Sequence, residues 1–196
     1  MLREPGRTGG RELLKPVSAV LVCDARFTNM VAGVDANSVA RMMSITDMHA
    51  LVATLELDQE VPADIHEQFD KARHAFIYSW FAYDLASLAE QQGYQTLELA
   101  LREKLPEAER KKATEKRWGL QKLLKHAVAH RWLVRSDFEA PPRYAGEPNI
   151  CFLDEIAICR NELAHGSRHL FPHGTLIMLQ LCADVLNRLF KKGNKA

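Results

Sequence analysis

The spacing of apolar residues predicts helices over most of the chain after its first 60 residues. Asp64 follows Pro62 with the pattern of a helix start, and we expect a first long helix from there to about Gln92. Residues 75–89 of that helix are apolar or aromatic on nearly every side. Such a pattern is typical of a helix that is central or that lies against a partner.

Four further amphipathic helices are predicted beyond this first one. Gly93 precedes the second helix, and the Pro and Gly residues within 135–148 predict a loop between the third and the fourth. The fourth begins after Asn149, a good helix-capping residue, and reaches His165, where Gly166 ends it. The expected ranges of these four helices are 94–105, 117–134, 150–165 and 175–192.

The first 60 residues give mixed signals. Residues 1–16 are rich in Gly, Arg and Pro without periodicity, so we expect little order there. Residues 17–23 could form a strand, whereas apolar residues within 39–55 roughly follow a helical period. We therefore predict an N-terminal extension, residues 1–60, that is partly disordered or of uncertain structure, and a helical domain, residues 61–196. The expected fold is all-α, a bundle of about five helices with an antiparallel four-helix core.

Length and composition narrow the class of protein. A chain of 196 residues that is 47% hydrophobic can bury one sizeable core. Its longest apolar runs fall well below the roughly 20 residues that span a bilayer, so we expect no membrane segment. The N-terminal sequence lacks a clear signal-peptide cleavage site, and the four cysteines show no CxxC pair. These features favour a cytoplasmic protein with reduced thiols.

The formal net charge of +1 conceals an uneven distribution of charge. Residues 47–70 hold seven acidic side chains and no Lys or Arg, whereas residues 102–135 hold eleven basic side chains against four acidic ones. A basic stretch can contact phosphates, although a charge run on a helix is often only its solvated face. The basic side chains that could contact RNA are Lys122, Lys125, His126, His130, Arg168 and His169.

Arg160, Asn161 and His165 lie together at the end of the fourth predicted helix, where an apolar stripe would otherwise continue. Cleavage of RNA without a metal needs proton transfer at the 2′-hydroxyl and at the leaving 5′-oxygen, with positive charge on the phosphate. An imidazole transfers protons near neutral pH, and a guanidinium binds phosphate oxygens bidentately. Asn161 could orient either neighbour or the scissile group. About 0.02 accidental Arg-Asn-x-x-x-His matches are expected in a chain of this composition, so the pattern is moderately specific.

Helix geometry adds a requirement for a second chain. Asn161 and His165 share one helix face, whereas Arg160 lies about 140° from His165 around the axis. One helix therefore cannot aim all three side chains at one phosphate. A two-fold dimer would place two imidazoles and two guanidiniums in a shared cleft, and we expect a composite active site.

The motif resembles that of the HEPN (higher eukaryotes and prokaryotes nucleotide-binding) domains, helical bundles marked by Arg, a polar residue, and His five to seven positions after the Arg. The resemblance extends over about residues 64–192. It implies a metal-independent endoribonuclease that acts as a homodimer on RNA, without a cofactor or a metal. Toxin–antitoxin, phage-defence and RNA-processing systems are the implied settings, with an antitoxin or another protein as a further partner. Some HEPN members are inactive, but here all three motif residues are kept.

Two different chemistries compete with this interpretation. His165, His169 and His173 have the four-residue spacing of metal ligands on a helix, but Gly166 and Pro172 should interrupt that helix. Cys159 adjoins the motif, yet it lies on the apolar side of the helix, which favours a buried structural thiol over a nucleophile.

A non-catalytic role also stays open. The aromatic residues within 77–83 could stack on bases, but their helical spacing is more typical of a core or a dimer interface. Asp84, expected to be buried among them, should pair with a Lys or Arg. Arg160 and His165 could merely tie the fourth helix to a neighbour in a module that binds RNA, a nucleotide or a protein.

Overall fold

A computed structural model describes residues 14–34, 37–140, 149–166 and 171–191, and within them the protein is mostly helical. The helices are α1 (Ile45–Ala53), α2 (Ala63–Tyr78), α3 (Leu85–Lys104), α4 (Glu107–Glu115), α5 (Leu120–Ala129), α6 (Phe152–Ala164) and α7 (Pro172–Phe190). Two small antiparallel sheets pair β1 (Val31–Val34) with β2 (Ala40–Met42) and β3 (Glu139–Ala140) with β4 (Ile150–Cys151). The expectation of a largely all-α protein is confirmed. None of the described helices is both long enough and apolar enough to cross a membrane.

The long first helix of the sequence analysis is in fact two helices, α2 and α3. The chain leaves helical geometry at residues 79–84, where the buried Ser79 hydroxyl donates to the carbonyl of Phe76 at 2.6 Å. Asp24 both donates and accepts at this turn: its backbone N–H donates to the Trp80 carbonyl at 2.8 Å, and its carboxylate accepts from the Tyr83 N–H at 3.1 Å. A distant segment thus satisfies backbone groups that a continuous helix would have paired, and local periodicity could not indicate it.

The sequence predicted that Gly93 separates two helices. In the structure Gly93 lies in the middle of α3 instead. A Cβ atom on this residue would come within 2.8 Å of Leu179 Cδ2 on α7. The missing side chain therefore lets α3 and α7 approach closely, and packing explains a glycine whose sequence context indicated a helix end.

Other boundaries also differ from the predicted ones, for local reasons. The charged segment before the third predicted helix forms α4, and that third helix is shorter than expected because Arg117 and Arg131 adopt left-handed backbone angles after α4 and α5. The possible strand at 17–23 is instead a 3₁₀ turn at Val17–Ala19. The fourth predicted helix begins two residues late, since β4 takes up Ile150–Cys151.

One continuous cluster of buried side chains holds these elements together. α3 packs most extensively against α2 and α7, and it also contacts α5 and α6. Residues that precede position 61 contribute to the same cluster, and α1 packs against α2. The predicted domain boundary at residue 60 stays a prediction, but the core extends to both sides of it. Its largest fully buried side chains include Phe27, Met48, Phe69, Phe76, Tyr94, Leu97 and Leu101.

The buried Asp24 carboxylate fastens the N-terminal segment to the turn between α2 and α3. Arg26 donates to it three times, through its backbone N–H, Nε and Nη2, each 3.0 Å from a carboxylate oxygen, and the Tyr83 N–H also donates. The guanidinium of Arg26 holds the pKa of Asp24 well below its usual range. The charged form of Asp24 therefore stabilises the folded chain.

Replacing Asp24 should weaken this fastening in a pH-dependent way. We expect Asp24→Ala to lower the free energy of unfolding by about 2–3 kcal/mol at pH 7, because hydrogen bonds to a charged group are lost. Since folding lowers the pKa of this carboxyl, its contribution is present above the unfolded value of about 3.9 and is lost as pH falls below it. Urea unfolding from pH 7 to pH 3 should show the difference from wild type shrinking. Exposed Asp58→Ala is the control, and a difference that stays constant with pH would contradict the assignment.

A branched side chain at position 93 should force α3 and α7 apart. We expect Gly93→Val to lower the free energy of unfolding by about 1–3 kcal/mol through overpacking against Leu179. Urea denaturation measures the change, and Gly33→Ala serves as the control because a Cβ there would meet nothing within 4 Å. A Gly93→Val protein as stable as wild type would show that the two helices have room to adjust.

Candidate functional site

All three motif residues lie in the last turns of α6 or at its end, and two of them, Asn161 and His165, have exposed side chains. His165 caps the helix, its backbone N–H donating to the Asn161 carbonyl at 3.0 Å, and Gly166 follows with φ +69°. This helix end is where the sequence predicted it, with glycine in the left-handed position that ends many helices. The side chains of Asn161 and His165 are exposed and lie one turn apart on one face.

Arg160 has a different environment from its two motif neighbours. Its Nε donates to Oε1 of Glu98 on α3 at 3.0 Å, and both side chains are largely covered, with 35% and 18% of their surfaces exposed. Its Nη1 lies 3.5 Å from Asn161 Oδ1, a weak contact at most. An ion pair therefore joins α6 to α3 and fixes the direction of the guanidinium.

A pocket of about 200 Å³ lies between α3 and α6, and Arg160 forms part of its wall. Asn161 and His165 are not among its lining residues. The pocket wall therefore includes the side chain of Arg160 but neither of the other two motif side chains. The lining residues are Gln91, Tyr94, Gln95, Glu98, Arg160, Leu163 and Ala164.

A buried polar network lies behind this pocket on α3. Glu90 is fully buried, and the Tyr94 hydroxyl donates to its Oε1 at 2.5 Å. The Thr175 hydroxyl, from α7, donates to Oε2 at 3.3 Å. Burial, with the neighbouring Glu90 carboxyl, raises the pKa of Tyr94 well above its usual range.

Sequence reasoning missed both Glu90 and Glu98, although a signal was present. Glu90, Tyr94 and Glu98 recur every four residues, which places them on one face of α3. That face also receives the apolar contacts of the core. Arg160 was selected because a charged residue interrupts an apolar stripe. Glu90 and Glu98 interrupt the apolar stripe of α3 in the same way, so the same pattern indicates them.

The residues predicted to contact RNA are spread over several environments. Lys125 and His130 are exposed on or next to α5, and Lys122 is exposed with its Nζ 4.7 Å from the centre of the Trp118 ring. His126 is largely buried, and desolvation lowers its pKa from the usual value. Arg168 and His169 lie outside the described residues, so the possible metal set with His165 and His173 is not described as a group.

The thiol beside the motif and the aromatic rings of the turn are directed into the protein. Cys159 is buried, as expected of a structural thiol. The Phe27 ring lies 5.4 Å from that of Trp80 and 5.3 Å from that of Tyr83, measured between ring centres. These contacts fit the expectation of a core role for Trp80 and Tyr83, whereas Tyr78 is exposed and does not fit it.

Asp84 is exposed, not buried among the aromatic residues as the sequence suggested. The reason is that α2 ends before this position, so Asp84 lies at the turn and not within a central helix. The expected pairing with a basic residue is present, since Arg26 Nη1 lies 3.1 Å from Oδ1 of Asp84.

These observations define a mostly helical protein with an Arg-Asn-x-x-x-His motif at an exposed helix end. A scan against protein-family models, a search of curated proteins and a search of solved structures each found no match for the chain. The function is therefore inferred from the placement of the residues themselves.

Because the His165 side chain is exposed, its removal should affect the free energy of unfolding little if its role is functional and much if its role is structural. We expect His165→Ala to change the free energy of unfolding by less than about 0.5 kcal/mol, since no described residue accepts or donates to its ring in a buried contact. Tyr94→Phe, which removes a buried hydrogen bond to a carboxyl group, should cost about 1–3 kcal/mol. Urea unfolding of both variants makes the comparison. A large loss in His165→Ala would indicate that this side chain holds the fold together.

Proposed function

We propose that the protein is a metal-independent endoribonuclease of the HEPN type, active as a homodimer on RNA. The observation that carries this proposal is the arrangement at the end of α6, where Arg160 is oriented by Glu98 while Asn161 and His165 stay exposed. The proposal includes a bundle fold, in which α2, α3, α6 and α7 form the antiparallel core and α5 lies beside it.

The chemistry follows from the residue types. A neutral His165 takes the proton from the 2′-hydroxyl, and the 2′-oxygen attacks the adjacent phosphorus. The bond to the 5′-oxygen breaks, and a protonated His165 of the second protomer supplies the proton to that oxygen. The products are a 2′,3′-cyclic phosphate and a 5′-hydroxyl, so neither water nor a redox partner is needed in this step.

Arg160 supplies the charge that the phosphate requires. Glu98 occupies its Nε, which leaves N–H groups of the Nη fork to donate to phosphate oxygens as negative charge accumulates. The hydrogen bond to the Glu98 carboxylate also restrains the position of the guanidinium when the substrate leaves. Asn161, beside it, can orient either the guanidinium or the scissile group.

The proposed site is composite because ideal helix geometry places Asn161 and His165 on one face of α6, with Arg160 to one side of it. Ile158, with 47% of its surface exposed, lies on the same face of α6 as Asn161 and His165, three and seven residues before them. Two copies of this face could pack about a two-fold axis, with Ile158 supplying apolar contact. Each protomer's imidazole would then approach the other protomer's pocket.

The second candidate is a non-catalytic module, and the Arg160–Glu98 pair is the observation that favours it. An ion pair between two helices can be purely structural. In that case α6 would present a surface for RNA, a nucleotide or a protein without chemistry. The cytoplasmic setting, an antitoxin partner and a role in toxin–antitoxin or phage-defence systems belong to the first proposal and stay predictions.

Cleavage assays in EDTA test the ribonuclease directly. Purified wild type should cut RNAs of varied sequence and leave 2′,3′-cyclic phosphate ends, whereas Arg160→Ala and His165→Ala should lose about 10²–10⁴-fold in rate. Exposed His49→Ala is the matched control and should keep full activity. Circular dichroism confirms that each variant is helical.

Two results would favour the binding module instead. One is a wild type that cuts none of the RNAs, and the other is a pair of folded variants as active as wild type. The dimer can be tested separately. Ile158→Asp should be monomeric in light scattering and should also lose RNA cleavage. A monomeric Ile158→Asp protein with full activity would contradict the composite site.

A further inference from the structure

Glu109, His126 and His130 form a cluster with the composition of a metal site. Glu109 belongs to α4, whereas His126 lies on α5 and His130 caps it. One ligand atom from each residue can be chosen so that all three lie within 4.8 Å of one another. The two histidines are four apart on a helix, which places them on one face.

One atom in each of two of these side chains is buried and has no hydrogen-bond partner. Among the described residues, the buried side-chain atoms without such a partner are Glu109 Oε2, His126 Nε2 and Trp118 Nε1. Oε2 and Nε2 are 2.9 Å apart, which is ion-pair distance when His126 is protonated, but the two atoms do not meet the geometric criteria of a hydrogen bond. A cation about 2.0–2.2 Å from both atoms would lie to one side of the line that joins them, and a misaligned pair suits that position.

A backbone carbonyl group contacts the ring of His130, the third proposed ligand. Nδ1 of His130 lies 3.0 Å from the carbonyl oxygen of His126. A proton on Nδ1 makes this contact a hydrogen bond and leaves Nε2 free to coordinate. Metal-binding histidines generally use their second nitrogen in this way, because the hydrogen bond selects the tautomer and orients the ring.

Two matching helix ends enclose the cluster. α4 and α5 each end in a left-handed Arg followed by a Trp, and the N–H groups of Trp118 and Trp132 donate back to Ala113 and Ala127 at 2.9 Å each. In this capping motif the residue after the left-handed one packs back onto its helix. Both indole rings accordingly reach His126, with ring centres 5.4 and 5.3 Å from the imidazole.

We propose that Glu109, His126 and His130 bind a divalent transition-metal ion of the Zn²⁺ class. Two imidazole nitrogens and one carboxylate oxygen suit Zn²⁺ better than Mg²⁺ or Ca²⁺, which prefer oxygen ligands. Three protein ligands leave a position for water in a four-coordinate site, on the side where His130 is exposed. The ion would link α4 to α5, and this site is independent of the proposed ribonuclease chemistry at Arg160.

Metal titration of the full-length protein tests the site. After treatment with EDTA and dialysis, wild type should bind one Co²⁺ per chain with visible d–d absorption, and Zn²⁺ should displace it. Glu109→Gln and His130→Ala should each weaken Zn²⁺ binding at least about 100-fold by competition with a chromophoric chelator. The matched controls are Glu115→Gln, exposed on the same helix, and His49→Ala, and both should bind as wild type does.

Thermal unfolding supplies a second readout, since an ion that binds only the folded chain raises its melting temperature. Saturating Zn²⁺ should raise Tm by several degrees in wild type and in both controls, but not in Glu109→Gln or His130→Ala. Far-UV circular dichroism shows whether the variants are folded. A wild type that takes up no stoichiometric Co²⁺ or Zn²⁺, or ligand variants that bind as tightly as wild type, would overturn the proposal.

Discussion

The close approach of α3 and α7 at Gly93 is the constraint on which the rest of the packing depends. α3 contacts α2, α5, α6 and α7, so its position determines where each of them can lie. Because a Cβ atom at position 93 would come within 2.8 Å of Leu179 Cδ2, any side chain there would force Leu179 or the helices to shift. The same helix carries Glu98, which orients Arg160. The geometry of the candidate site therefore rests on a contact in the interior of the protein.

The sequence predicted helices wherever an amphipathic stripe continued without interruption, as in α7 and in the end of α6 at Gly166. It failed at residues 79–84, where an apolar run conceals a turn that Asp24 stabilises from more than fifty positions away. The predicted role of Gly93 as a helix boundary was wrong for a related reason. A glycine can end a helix or admit a neighbouring helix, and only the neighbour, which the sequence does not reveal, decides between these roles.

The motif residues could be selected from the sequence because polar side chains replaced an expected apolar stripe. Helix geometry predicts that Arg160 and His165 lie on different faces of α6, and the separation of their side chains stays a prediction. Glu98 could not be assigned as the partner of Arg160, since 62 positions separate them. The cluster of Glu109 with two histidines was missed for the same reason. Because the charged pattern of α4 did not predict a helix, no element was available to bring its carboxylate to α5.

The Glu90 carboxyl group has a consequence for how this protein can move. It lies fully buried between α3 and α7, with hydrogen bonds from Tyr94 on its own helix and from Thr175 on the neighbouring one. Sliding α7 by a single residue would displace the Thr175 hydroxyl by about 1.5 Å, out of bonding range. A shear between these two helices would thus break a buried hydrogen bond to the Glu90 carboxyl group, which is costly. The α3–α7 pair should behave as one rigid unit, and any widening of the pocket beside Arg160 has to come from a displacement of α6 relative to it.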